Sequence, residues 1–383
     1  MAGYSQGGVG GVGGVGGVGG VGGVGGVGGV GGVGASLADA YANTVMTDAL
    51  ILARDGIIDV DDILGDPWPP QPVVDDAFQI HRWEPWVRTS VAMQELGTDL
   101  LIAPTTTGPG MSVSHDGHEF ARITRPDNAI FKGQIRKVLE WSELRQERAT
   151  EILAQIDPQY AFWAQVVFLR ADRTRYTLEL INLALQFAVL VEMRIKHSLG
   201  CHRPIEYSAQ VQPMITTPGH GALPMGHATQ AYIVVQVLRA LLEIKGKTSA
   251  RDKRVEQLDR QAARISINRV IAGVHFPIDA LAGRLLGDVL GRFFLARVGS
   301  SSCDTVPRPD PNPVPGSVAV ATAWYDGGLA KDDDDFNPSQ QPLPPVTSKL
   351  SPSYRSLTEA TTIDVSASAL LHEMWLSAAG EWK

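Results

Sequence analysis

The chain has 383 residues, 44% of them hydrophobic, which is enough to bury the core of one large domain or two ordinary ones. The formal net charge of -8 argues against a nucleic-acid surface, because such a surface needs clustered Lys and Arg on one face. The two cysteines, Cys201 and Cys303, form neither a CxxC pair nor a Cys/His metal spacing, which argues against a disulfide framework or a zinc site.

The N-terminal segment is an unbroken run of Gly-Gly-Val triplets over 7–33. Valine at every third position has neither helical nor strand periodicity, so we predict a disordered tail over 1–34. No basic and apolar leader precedes the run, and no stretch of about 18 uncharged apolar residues occurs in the chain. These features predict a cytoplasmic protein without membrane contact.

The next segments are predicted from their apolar spacing. A first helix is expected over 36–54, and the stretch 59–132, rich in Pro, Gly, Asp and Trp, is expected to be ordered irregular structure or short strands. Helical periodicity then predicts six helices, at about 135–155, 160–172, 174–196, 228–245, 252–272 and 278–295. The helix at 174–196 is apolar nearly all round, which indicates a buried central helix. We therefore predict an all-α fold, a helical bundle within 35–299.

The composition becomes Pro-rich and polar after Gly299, which predicts an irregular surface arm over 300–356. A last helix, at about 366–378 within the segment 357–383, is expected to dock on the bundle or on a second subunit. A homodimer or a larger homo-oligomer is therefore an open expectation.

Three basic residues lie near the ends of apolar helices, where the surrounding pattern indicates core: Lys196, Arg203 and Arg269. Burying such charges costs several kcal/mol unless they are paired, so they need an anionic partner. A bound tetrahedral oxyanion would supply it. Met225 and Gly226 open the next helix, where backbone amides and the helix dipole favour an anion.

Two histidines belong to the same stretch, His227 at that helix start and His275 after a short loop. Asp279 lies about one helical turn past His275, so it is placed to fix one nitrogen of that ring. We therefore assign His275 as the nucleophile or ligand and His227 as the general acid or base.

The spacing of these residues resembles the three-part signature of the superfamily that contains vanadium-dependent haloperoxidases and type-2 phosphatidic acid phosphatases (PAP2). The matching segments are Lys196 with Arg203-Pro204, then Pro224-Met225-Gly226-His227, then Arg269 with His275 and Asp279. The resemblance covers roughly 155–295. Two letters depart from it, since Met225 and Asn268 stand where the superfamily usually has serine. The local sequences around His220 and His275 are closer to the soluble bacterial haloperoxidases than to the membrane lipid phosphatases.

The resemblance implies a vanadate cofactor bonded to His275, with His227 as the acid-base residue. Its oxygens are expected to be held by the donors Lys196, Arg203, Arg269 and the amides of Gly226 and Met225. The implied partners are hydrogen peroxide, which Lys196 polarises, a halide and a small organic substrate. His220 matches a position where bromoperoxidase-like members carry histidine, which favours bromide or iodide.

Other functions can use the same residues. In an acid phosphatase, phosphate would occupy the site, His275 would attack phosphorus and His227 would protonate the leaving oxygen. A non-catalytic oxyanion-binding protein is a further alternative. Met225 weakens an oxyanion site because a thioether cannot donate a hydrogen bond, so Met225→Ser is expected to tighten vanadate binding. The haloperoxidase is our first hypothesis from sequence.

Overall fold

The computed structural model describes residues 44–57, 71–156, 159–244, 246, 248–300, 318–338 and 362–383. Within these ranges the chain forms eleven α-helices, α1 (Thr44–Ile57), α2 (Pro85–Gly97), α3 (Asn128–Ser142), α4 (Arg145–Ala154), α5 (Tyr160–Ala164), α6 (Arg175–Leu199), α7 (Pro204–Tyr207), α8 (Gly226–Glu243), α9 (Ser249–Ile271), α10 (Pro277–Arg297) and α11 (Ala369–Gly380). The prediction of a mainly α-helical bundle is confirmed. The Gly-Gly-Val run lies outside the described residues.

The centre of the bundle is built from α6, α8, α9 and α10, with α8 packed against the other three. The predicted central helix is confirmed, since Ile181, Phe187, Val191 and Ile195 of α6 are all fully buried. Long apolar helices that bury most of their circumference place their polar ends inside the protein. The candidate site residues lie at these ends.

Two glycines bring α10 unusually close to α8. A β-carbon on Gly283 would collide with the carbonyl oxygen of Met225, and one on Gly287 would collide with that of Thr229. Because only glycine permits this contact, the start of α10 is held directly against the start of α8. This contact brings His275 and Asp279 close to Gly226 and His227.

Six short strands accompany the helices, β1 (Leu100–Pro104), β2 (Gly110–His115), β3 (His118–Thr124), β4 (Val318–Ala321), β5 (Ala323–Tyr325) and β6 (Thr362–Val365). Four of them form a sheet in the order β1-β2-β3-β5, while β4 pairs with β6. The short strands expected within 59–132 are therefore present. Helix α2 was missed there, because its Pro and Trp residues suggested irregular structure. Pro85 is instead the first residue of α2, where its missing N–H costs nothing.

The predicted surface arm is wrong for the part that the structure describes. Residues 318–338 contribute β5, which runs parallel to β3 with Ala121 opposite Ala323 and Ile123 opposite Tyr325. Tyr325 is fully buried, and the Gln134 side chain donates to backbone carbonyls of this segment. The composition of the segment is polar overall, yet its apolar residues pair with the sheet.

Two predicted helices have different boundaries. The helix expected at 135–155 is two helices, α3 and α4, and the helix expected at 160–172 ends with α5 at Ala164. Near residue 172, where the second helix was expected to end, the Thr174 hydroxyl accepts from the Arg170 amide at 2.8 Å and lies 2.9 Å from the Arg170 carbonyl oxygen. Such local side-chain bonds compete with helical ones and favour a turn.

The last helix docks on the bundle. Trp382 Nε1 donates to Thr177 Oγ1 at 2.8 Å, and the Glu381 carboxylate accepts from the amides of Tyr176 and Thr177 at 2.9 Å. A carboxylate at a helix N-terminus satisfies unpaired N–H groups and suits the helix dipole. Among the described residues, no helix is both long and apolar enough to cross a membrane.

Candidate active site

The predicted site residues meet where five helices begin or end. Lys196 lies in the last turn of α6, Arg203 directly precedes α7, and Arg269 lies in the last turn of α9. His227 lies in the first turn of α8, and His275 precedes α10. Lys196, Arg203 and Arg269 are each at most 2% exposed, as the sequence predicted.

Arg203 links three parts of the site. Its Nη1 donates to the Val274 carbonyl at 2.7 Å and lies 2.8 Å from His275 Nε2. Its Nε donates to the His220 carbonyl at 3.0 Å, and its Nη2 lies 3.1 Å from His220 Nδ1. Burial lowers the pKa of Arg203 to about 10, so the guanidinium remains charged at neutral pH.

His275 has a carboxylate behind it and a cation in front of it. Its Nδ1 lies 3.0 Å from Asp279 Oδ2, and the same oxygen accepts from the Phe276 amide at 2.9 Å. A carboxylate accepts and a guanidinium donates, so His275 carries its proton on Nδ1 and turns the Nε2 lone pair toward Arg203. Burial, followed by the charges of Arg203 and Lys196, holds the pKa of His275 well below its ordinary value. The ring is therefore neutral, the form required of a nucleophile or ligand.

His227 has a different partner. Its Nε2 lies 3.0 Å from the Gln155 carbonyl oxygen, which can only accept, so Nε2 carries a proton and Nδ1 is left for acid-base chemistry. Burial and the nearby charge of Arg269 hold the pKa of His227 well below its ordinary value. Without an anion the ring is neutral at pH 7.

Arg269 has unused donors. Its Nη2 donates to the Ile152 carbonyl at 2.8 Å, but Nε and Nη1 are buried without a hydrogen-bond partner among the described residues. Burial lowers its pKa to about 9, so it too stays charged at pH 7. Buried donors without partners are rare in folded proteins and call for an acceptor. A tetrahedral oxyanion would supply several acceptor oxygens.

Lys196 is also fully buried, with Nζ 3.2 Å from the carbonyl oxygens of Gly221 and Ala222. Burial and the charge of Arg203 lower its pKa. The charges of Glu192 and Asp279 oppose this shift, and an anion in the site would favour the charged ammonium further.

The expected contribution of Met225 to oxyanion binding is wrong. Its amide donates to the Asp279 carbonyl oxygen at 2.9 Å, and its side chain is fully buried in the hydrophobic core. Neither group is available to an anion. The next amide, at Gly226, lies in the first turn of α8, where N–H groups have no intrahelical acceptor, and it remains the candidate donor.

Two residues of the site were missed from the sequence. Glu192, one turn before Lys196, is fully buried, and its Oε1 would lie 2.8 Å from a β-carbon on Gly226. The signal for it was present, because a carboxylate interrupts an apolar helix four residues before a lysine. Gln155 gave no signal, because it supports His227 through its backbone carbonyl.

His220 lies beside Arg203 and is partly buried. Its pKa is lowered to about 3 by burial and by the charges of Lys196 and Arg203, so it is neutral at pH 7. The charges of Lys196 and Arg203 act on all three histidines of the cluster. The arrangement is therefore one site, with neutral imidazoles among buried cations, suited to binding a small oxyanion.

Comparisons with known proteins add little to this geometry. No protein-family profile matches the chain, and no curated protein matches it. One similar solved structure is a transmembrane PAP2-type phosphatidylglycerolphosphate phosphatase from Bacillus subtilis, with 21% identity and a TM-score of 0.27. The match covers 43% of this chain and 79% of the other.

Proposed function

We propose that the protein is a phosphohydrolase that works through a covalent phosphohistidine at His275. The observation that carries the proposal is the contact of His275 Nδ1 with Asp279, which directs the Nε2 lone pair toward the buried cation Arg203. A neutral, carboxylate-backed imidazole beside positive charge is the arrangement that nucleophilic attack on a phosphate ester requires.

The reaction has two steps. In the first, His275 Nε2 forms a bond to phosphorus, the bond from phosphorus to the ester oxygen breaks, and His227 gives its proton to the leaving oxygen. In the second, His227 accepts a proton from water, the water oxygen bonds to phosphorus, and the bond to His275 Nε2 breaks. Inorganic phosphate and the alcohol are the products.

The cations serve the transition state in this scheme. Lys196, Arg203 and the unpartnered nitrogens of Arg269 would neutralise charge on the equatorial oxygens, where negative charge is spread during phosphoryl transfer. The negative substrate also raises the pKa of His227, because an opposite charge favours the protonated ring. Substrate binding therefore favours protonation of His227, which is neutral in the free protein, and so makes it a general acid.

Met225 favours phosphoryl transfer over halide oxidation, although halide oxidation is the first hypothesis from sequence. A haloperoxidase must retain its oxyanion cofactor through many turnovers, whereas a hydrolase binds phosphate only transiently. The amide of Met225 is occupied and its side chain cannot donate, so the site has fewer donors for permanent retention.

The test is hydrolysis of phosphate monoesters by the full chain without added vanadate, together with trapping of the intermediate. A phosphohistidine is labile in acid and stable in alkali, so labelled phosphate on the protein should survive only alkaline quenching. His275→Gln should abolish both hydrolysis and labelling. His227→Gln should retain labelling by p-nitrophenyl phosphate, whose leaving group needs little protonation, and lose activity on alkyl phosphates. Hydrolysis by the His275→Gln variant at the wild-type rate would refute the proposal.

A vanadium-dependent haloperoxidase is the second candidate, favoured by the contact of His220 Nδ1 with Arg203 and by the sequence resemblance. The residues fit one vanadate ion, because Arg269 has two unpartnered nitrogens and His275 presents Nε2. Lys196, Arg203, Arg269 and the Gly226 amide would hold its oxygens. Bound vanadate would supply Lewis-acid activation of hydrogen peroxide toward a halide. Bromination of a phenol dye that depends on orthovanadate and is inhibited by phosphate would identify this activity.

A further inference from the structure

A second basic feature lies on α9, away from the histidines. A pocket of about 430 Å³ opens between α9 and the residues that follow α5, and its lining includes Gln165, Lys253, Arg254, Arg260, Gln261 and Arg264. This volume is within the range of pockets that bind small molecules, roughly 300–1,000 Å³. The reaction proposed above uses none of these residues.

The pocket concentrates basic side chains in a protein of net charge -8. Four of its lining residues are cationic and none is acidic. Lys253 and Arg254 form no ion pair with a described residue, and Arg260 pairs only with the exposed Glu256. Arg264 pairs with Glu151 at 2.6 Å. Exposed ion pairs contribute little free energy, so Arg260 can exchange Glu256 for a ligand at low cost.

Gln261 adds a buried donor to this lining. Its side chain is 8% exposed, and its Oε1 accepts from Gln165 Nε2 at 2.9 Å. This bond assigns Gln261 Nε2 as the remaining donor, and that nitrogen is buried without a partner. A buried amide N–H without a partner costs free energy until an acceptor arrives. The pocket thus combines cations with an unsatisfied neutral donor, and both call for acceptor oxygens.

The length of the pocket limits the ligand. Lys253 and Arg264 are eleven residues apart on one helix, roughly 16 Å at the helical rise of 1.5 Å per residue. One phosphate group cannot contact both ends of this span, whereas two phosphate groups joined through an organic moiety can. Guanidinium groups also suit phosphate because they donate two parallel hydrogen bonds.

We propose that this pocket is a binding site for a small molecule carrying at least two phosphate groups, separate from the histidine site. The Lys253 and Arg254 end holds one anionic group, and Arg260 and Gln261 hold the other, while Arg264 remains paired with Glu151. The proposal does not rest on the proposed hydrolase function, because it uses none of the histidine-site residues.

The test is calorimetric titration of the full chain with fructose 1,6-bisphosphate, at about 0.15 M salt and again at high salt. The variant Lys253→Gln/Arg254→Gln should weaken binding to the pocket at least tenfold. Lys132→Gln/Arg173→Gln is the matched control, because it removes two exposed cations outside the pocket and should bind as wild type does. All four residues are exposed, so both variants are expected to fold, which thermal unfolding checks.

The His275→Gln variant separates the two sites. This variant should still bind fructose 1,6-bisphosphate in the pocket, whereas Lys253→Gln/Arg254→Gln should not. This expectation holds whether or not the wild type hydrolyses phosphate esters. Equal isotherms for wild type and Lys253→Gln/Arg254→Gln would overturn the proposal. So would complete loss of binding in His275→Gln, because it would assign all binding to the histidine site.

Discussion

Met225 offers the sharpest test of how this site holds an oxyanion. It stands at the N-cap of α8 with no side-chain capping bond. Replacing it with serine introduces a hydroxyl at the helix start, where it can accept from a first-turn amide and donate to a bound oxyanion. Met225→Ala removes the same buried thioether and adds no hydroxyl. The difference between the two variants therefore isolates the hydroxyl.

The magnitudes follow from burial and from hydrogen bonding. The Met225 side chain is fully buried, and removing a buried methionine to alanine costs about 2–5 kcal/mol of unfolding free energy. A serine N-cap recovers about 1 kcal/mol of this relative to alanine. A hydrogen bond to a charged group contributes about 1.5–3 kcal/mol, which corresponds to about 10- to 100-fold in affinity. Met225→Ser should thus be less stable than wild type and bind an oxyanion more tightly than Met225→Ala.

The assay is calorimetric titration of the three proteins with orthophosphate and with orthovanadate, alongside denaturant unfolding. Comparing serine with alanine cancels the cavity, which both variants share. Equal affinities of Met225→Ser and Met225→Ala for both anions would refute the reasoning, because they would place position 225 out of reach of the ligand.

Three further predictions concern the other groups of the site. Asp279→Asn should lower kcat/KM about 10- to 100-fold, because the asparagine oxygen can keep its contacts with the Phe276 amide and His275 Nδ1 but carries no charge to stabilise the imidazolium; unchanged steady-state rates would contradict this. Arg269→Met should raise the free energy of unfolding of the anion-free protein by about 1–4 kcal/mol, because it removes buried unpaired N–H groups, and it should abolish stabilisation by phosphate. Denaturant unfolding with and without phosphate measures both effects. Arg173→Met, at an exposed position, is the control. Phosphate binding should be accompanied by proton uptake at pH 7, because burial lowers the pKa values of His227 and Lys196 and a bound anion raises them. The binding enthalpy should therefore differ between PIPES and Tris, which have different heats of ionisation. Equal binding enthalpies in the two buffers would exclude this uptake.

The sign of the pH effect on stability follows from the same shift. The folded-state pKa of His227 lies below its ordinary value of 6.5, so the unfolded chain binds more protons as the pH falls below 6.5. His227 therefore destabilises the folded protein progressively in acid. Bound phosphate reverses the shift, so the increase in Tm that phosphate causes should be larger at pH 6 than at pH 8.

The sequence predicted the bundle and most of its site because both depend on long helices. Apolar periodicity located α6, α8, α9 and α10, and the polar residues at their ends had to be buried once those helices formed the core. The pairing of His275 with Asp279 follows from a four-residue separation and is present in the structure. Short elements were not predictable in this way. Strand β5 has three residues, and it is fixed by β3, which lies about 200 positions earlier.

The errors at the site have a common physical cause. The amide of Met225 is occupied by the Asp279 carbonyl, and His227 is held by the Gln155 carbonyl. Both are backbone contacts between elements distant in sequence, and any residue type could supply them. A pattern of side chains carries no information about such contacts, so they become visible only when the helices are packed.

The two histidines differ chiefly in the group that contacts one ring nitrogen, a carboxylate for His275 and a backbone carbonyl for His227. This difference suits them to different chemical roles. In the proposed hydrolase, the Asp279 carboxylate would stabilise the positive charge that His275 acquires when Nε2 bonds to phosphorus. The Gln155 carbonyl fixes the orientation of His227 but carries no net charge, and Arg269 opposes a second positive charge nearby. His227 would therefore gain and lose a proton easily as phosphate enters and leaves. One ring is suited to forming a bond and the other to moving a proton, and exchanging Asp279 for asparagine should impair bond formation while leaving proton transfer by His227 intact.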